Sequence, residues 1–106
     1  MAQIYNTANF DQEVLHSSEP VLVDFYADWC GPCKMMGPVV EQLAGTYAGK
    51  AKVGKVNVDA SSDIAGRYGV MSIPTFILFK DGKAVDSLTG AVPPNALQQM
   101  IDAAVA

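Results

Sequence analysis

Cysteine and histidine are scarce in this chain, and positive charge is in deficit. The 106 residues contain two cysteines and one histidine, His16. Seven Lys and Arg face eleven Asp and Glu, for a formal net charge of −4. A general grip on nucleic-acid phosphates needs the opposite sign, so no nucleic-acid partner is expected. No apolar run approaches the roughly 20 residues that cross a bilayer, so no membrane partner is expected either. The N-terminal stretch "MAQIYNTANF" lacks the basic patch and apolar run of a secretory signal. The expectation is a soluble, cytoplasmic, monomeric chain.

What is present suffices for one domain, 1–106. Apolar residues make up 50% and charged residues 17%, enough to build a core without disulfides or metal. "AQIY" reads as a short extended segment. "TANFDQEVLHS" places Phe10 and Val14 four apart and predicts a short amphipathic helix opened by Thr7. "PVLVDFYA", Pro20–Ala27, is rich in β-branched and aromatic residues and reads as a central strand buried on both faces. Met36, Val39, Val40, Leu43 and Tyr47 then recur at helical spacing, with a kink expected at Pro38 and a stop at Gly49.

"AKVGKVNVD" alternates like a strand. "SSDIAGRYGV" opens on capping residues and predicts a short helix closed by Gly69. "TFILFKDGKAVDSLTG" reads as a hairpin turning at Asp81-Gly82. Pro93 and Pro94 suit the start of a last helix with Leu97, Met100, Ile101, Ala104 and Val105 as its apolar stripe. The order β-α-β-α-β-α-β-β-α predicts an α/β fold. It has a mixed central sheet of about five strands, with parallel pairing early and an antiparallel final hairpin, sandwiched by about four helices.

Both cysteines fall in "DWCGPCK", as Cys30 and Cys33, where the buried strand gives way to the long helix. Three readings compete. As a structural staple the pair closes a very small loop, removing only about 2 kcal/mol of unfolded-state entropy against about 4.7 for a 100-residue loop. As a zinc site it lacks two ligands, and His16 is distant in sequence on a predicted surface helix; no metal is expected. As a redox pair it uses every feature of the segment. A helix N-terminus stabilises the thiolate of Cys30, the species that attacks disulfides. Gly31 permits a tight turn and leaves room for a partner's backbone. Pro32 presets the helical backbone and needs no partner for its missing N–H. Cys33, one turn inside, is expected to be the less exposed, resolving thiol. Asp28 reads as a solvated charge.

"WCGPC" at the end of a buried strand resembles the active-site motif of the thioredoxin family. The likeness extends over essentially the whole chain, through "VLVDFYADWCGPCKMMGPVVEQLA", "KVGKVNVD", "YGVMSIPTFILFKDGK" and "TGAV" in the family's order. It implies a thioredoxin-like fold and protein-disulfide reductase activity, with Cys30 as nucleophile and Cys33 resolving. No bound cofactor is implied beyond the Cys30–Cys33 disulfide itself. The implied partners are protein disulfides and a thioredoxin reductase.

Outside the motif, the resemblance gives roles to residues with plainer alternatives. Asp24 interrupts the buried strand, where a carboxylate is costly unless paired or protonated. By itself it reads as a hydrogen-bonded core acid; the resemblance implies a proton-transfer group for Cys33. Lys55 reads as a solvated strand lysine; the resemblance puts it near Asp24, titrating jointly with it. Pro74 in "SIPT" could mark a strand start; the resemblance implies a cis bond after Ile73, whose backbone can pair with an extended substrate. Trp29, Gly31, Ile73, Pro74, Gly90 and Ala91 would form a shallow, mostly uncharged substrate platform. Two positions depart from common family usage: Tyr26, where a second tryptophan is frequent, and Gly37, where alanine is. A thiol oxidase or isomerase, and a binding subunit that clamps a partner without turnover, are the alternatives on the same fold.

Overall fold

The computed structural model describes all 106 residues, Met1–Ala106. Five strands form one sheet: β1 Gln3–Tyr5, β2 Val21–Tyr26, β3 Lys52–Asn57, β4 Thr75–Lys80 and β5 Lys83–Thr89. Three α-helices accompany them, α1 Gly31–Thr46, α2 Ser62–Arg67 and α3 Pro94–Val105, with a π-helical turn at Asp11–Leu15. The sheet order is β1-β3-β2-β4-β5. β1 and β2 run parallel to β3, whereas β4 runs antiparallel to both β2 and β5. This is the expected mixed sheet.

Strand periodicity divides the core into two layers. Leu22, Val53, Phe76 and Leu78 meet Met36, Val40 and Leu43 of α1 and Leu97, Met100 and Ile101 of α3. On the other face Val21, Val23, Phe25, Ile77 and Phe79 meet Phe10, Val14, Ile64 and Ala65. β2, at the middle of the sheet, is therefore buried on both sides, and its continuous apolar run follows from that. The hairpin turns as its dipeptide requires, with Asp81 at φ 54° and Gly82 at φ 78°.

Local corrections concern helix ends. Thr7 does not open the first helical turn. Asn6 does, its side-chain oxygen accepting from the N–H groups of Ala8 and Asn9, while the Thr7 hydroxyl donates to Asp63. The turn is π rather than α, closed by the His16 N–H donating to the Asp11 carbonyl. α1 ends at Thr46, and Gly49 serves a following turn at φ 86°. Ser61 stands at the N-cap of α2 but makes no capping hydrogen bond. Val105 is 36% exposed, so the buried stripe of α3 stops at Ala104.

Candidate active site at one end of the sheet

The antiparallel pairing of β2 with β4 builds the site. It sets the C-terminal end of β2 beside the N-terminal end of β4, with Phe25 opposite Thr75. Three loops separated in sequence therefore meet: the "WCGPC" segment after β2, "SIP" before β4, and "GAV" after β5. The last is tied in by the Gly90 N–H donating to the Pro74 carbonyl at 2.8 Å.

Cys30 and Cys33 form a disulfide with their Cα atoms 5.2 Å apart. Cys30 is the N-cap of α1, in extended conformation, and its sulfur accepts the Cys33 N–H at 3.2 Å. A helix start leaves its first N–H groups without intrahelical partners, and here a sulfur takes one. The sulfur thus sits where partial positive charge accumulates. Pro32 lies in the first turn, where its missing N–H costs nothing. The left-handed backbone that favours glycine is absent at Gly31, and a Cβ there would meet nothing within 4 Å. The expected tight turn is not its reason; of the two expected roles, open space above the disulfide is the one left. Cys33 is not the less exposed residue of the pair. Both cysteines are 5% exposed, packed together against Ala27, Tyr26, Val58 and Ile73.

The Ile73–Pro74 bond is cis, as the resemblance implied. The Ile73 carbonyl oxygen lies 3.9 Å from the Cys30 sulfur, a contact rather than a hydrogen bond, since a disulfide sulfur carries no proton. Pro74 is buried and Ile73 half-buried, while Ala91 is exposed. Trp29 is 70% exposed, held by its indole N–H donating to the Asp59 carboxylate at 2.8 Å. Asp59 was not singled out from the sequence. It follows the end of β3, and only the alignment of Tyr26 with Asn57 brings that end beside the motif.

The anomalous carboxylate lies within β2, the strand that leads into the cysteine motif. Asp24 is 1% exposed, and neither carboxylate oxygen has a hydrogen-bond partner. Burial pushes its pKa up from 3.8 to about 7, against a smaller downward pull from the Lys55 charge. Asp24 and Lys55 are cross-strand partners and share the sheet face that carries α1. They do not form a close ion pair: Lys55 Nζ instead lies over the Tyr26 ring, 4.3 Å from its centroid. Tyr26, Lys55, Ala27, Asp28, Cys33, Lys34 and Gly37 line a cleft of about 170 Å³ that reaches Cys33. His16 is exposed at the end of the π turn, and no cluster of potential metal ligands occurs.

A redox-capable cysteine pair at a helix start, facing a cis-proline loop, defines a thiol–disulfide oxidoreductase of the thioredoxin-like fold. Comparison with known proteins narrows this. The thioredoxin family model matches residues 1–103. A thioredoxin of Chlorobaculum thiosulfatiphilum is 55% identical over 94 residues, covering 89% of this chain and 87% of that protein. Thioredoxin 1 of Synechococcus elongatus is 51% identical over 102 residues, 96% of this chain and 95% of the relative. The chloroplastic M-type thioredoxin of Pisum sativum is 47% identical over 100 residues, 94% of this chain and 58% of that longer protein. The chain belongs to the thioredoxin family and is a thiol–disulfide reductase. Its general partners are disulfide substrates and a thioredoxin reductase.

Proposed function

We propose that residues 1–106 act as one domain, a monomeric cytoplasmic protein-disulfide reductase in which each residue of the site has a distinct job. Cys30 thiolate attacks one sulfur of a substrate disulfide; a mixed disulfide forms and the other substrate sulfur leaves as a thiolate. Cys33 gives its proton to Asp24 and attacks the Cys30 sulfur. The Cys30–Cys33 bond forms, the mixed disulfide breaks, and the second substrate sulfur is released. The substrate has gained two electrons and the domain has lost them; a thioredoxin reductase returns them. The two sulfurs carry both electrons, so no bound cofactor or metal enters the scheme.

The observation that carries this reading is the Cys33 N–H donating to Cys30 sulfur at the head of α1. It makes the sulfurs unequal although the two residues are equally exposed overall. The sulfur at the N-cap is the one the helix start favours as an anion, hence the nucleophile. Asp24 supports its assigned role by being buried, unpartnered and raised to about 7, near working pH, where a proton acceptor is most useful. Lys55 moderates that carboxyl through its charge. Trp29, Gly31, Ile73, Pro74, Gly90 and Ala91 receive the substrate, an extended segment pairing with the Ile73 backbone, and Pro32 completes the active-site loop. No helix is long and apolar enough to cross a membrane.

The test is trapping. Cys33→Ser accumulates a mixed disulfide through Cys30 with a disulfide-bonded protein substrate, seen as a thiol-reversible mass increase. Cys30→Ser accumulates none. A chain with both cysteines replaced that held the substrate as tightly as wild type would point instead to a binding subunit.

A further inference from the structure

We propose that Tyr26 is a positioning residue. Its ring docks the Lys55 ammonium beside Asp24 and so sets the field in which that carboxyl exchanges its proton. The inference rests on the reading of Asp24 as the proton-transfer group for Cys33. Lys55 Nζ lies 4.3 Å from the ring centroid, well within the roughly 6 Å over which an aromatic face attracts a cation. The ion pairs in the molecule are Lys52–Glu13 and Arg67–Asp11, so no carboxylate holds the head of Lys55. The ring does. Tyr26 and Asp24 are two apart on β2, on one face of the sheet, and Lys55 is the register partner of Asp24. Tyr26 and Lys55 both line the cleft that reaches Cys33.

The chemistry follows from how lysine behaves without a partner. A free ammonium is compact and strongly hydrated, and its flexible stem carries it into water. There its pull on a buried carboxylate is screened. Docked on a half-buried ring, the same charge acts at fixed range through a less polarisable medium. It stays near Asp24 without contacting it, so the carboxyl remains able to accept a proton. The other titratable groups at this corner are Asp28, Cys33 and Lys34, which line the same cleft, and Asp59, held by Trp29.

The experiment follows the Asp24 carboxyl carbon by 13C NMR as a function of pH. It uses the disulfide form, in which the cysteines do not titrate. Tyr26→Phe keeps a cation-attracting face and leaves the midpoint where it is. Tyr26→Leu releases Lys55 and raises the midpoint by about half a pH unit, roughly threefold in the ratio of protonated to ionised carboxyl. Lys55→Met raises it at least as far, and in that background Tyr26→Leu adds nothing. An equal shift with and without Lys55 would mean that the ring only excludes water, and would overturn the proposal. So would an unmoved midpoint in Lys55→Met, a variant that spares the aromatic packing. The underlying reading fails separately, if Asp24→Asn leaves unchanged the pH profile of mixed-disulfide resolution; the NMR arms do not depend on turnover.

Discussion

Asp24 costs the folded protein stability at neutral pH. Its carboxyl ionises near 3.8 when unfolded and near 7 when folded. Between those values the unfolded chain holds fewer protons than the native one, so stability falls as pH rises. The loss is absent below 3.8 and complete above 7, where it reaches about 4 kcal/mol. Asp24→Asn removes the ionisation, and its buried amide replaces a protonated carboxyl that also lacks partners, so the two desolvation costs roughly cancel. Urea titrations should therefore show the variant more stable than wild type by up to about 4 kcal/mol at pH 8. Its advantage should shrink as pH falls toward 4. A variant equally stable across that range would show that Asp24 is paired in solution. The sequence displayed this residue as an interruption in "VLVDFYA". It could not display the missing hydrogen-bond partners, which depend on what β3, β4 and α1 put against it.

At the scale of elements, α1 does two jobs. Its first turn holds the disulfide and its buried face, Met36, Val40 and Leu43, anchors that turn to the sheet. Gly37 and Pro38 lie inside the continuous helix, between Met36 and Val40. A Cβ at Gly37 would meet nothing within 4 Å. Gly37→Ala should thus raise stability by up to about 1 kcal/mol through lost unfolded-state freedom, read as a higher urea midpoint at unchanged slope. No change would indicate that the glycine relieves the neighbouring proline. Gly54 is the opposite case: β1 lies so close that a Cβ would run into the Tyr5 ring and the Gln3 carbonyl. Nothing in "KVGKV" announces this, since β1 and β3 are far apart in the chain. Elements themselves were legible because their signals are local: apolar periodicity, the Asp81-Gly82 turn, the prolines at the start of α3. Their ends were less so, because caps such as Asn6 compete with neighbours of similar chemistry such as Thr7.

For the whole molecule, the disulfide is a functional bond on a fold that does not need it. Both core layers are assembled from strand and helix side chains without the sulfurs. Reduction reopens a loop whose closing residues are three apart. It should lower stability by only about 2 kcal/mol and keep unfolding cooperative. Matched urea titrations of oxidised and reduced protein check this; a reduced form that lost its cooperative transition would make the bond structural. The cysteine pair, its place between a buried strand and a helix, and the oddity of Asp24 were determined by sequence alone. Strand periodicity, helix capping and the scarcity of other ligands act within a few residues or by simple count. Tertiary structure decided what surrounds the pair. The antiparallel seating of β4 against β2 brought Ile73 and Pro74 to Cys30 and pulled Gly90 in behind them, and the parallel pairing of β2 with β3 set the end of β3, with Asp59, beside Trp29. It also laid Lys55 on Tyr26 rather than on Asp24. Register and strand order are long-range choices, made by burying both faces of one sheet at once, and no short stretch of chain carries them.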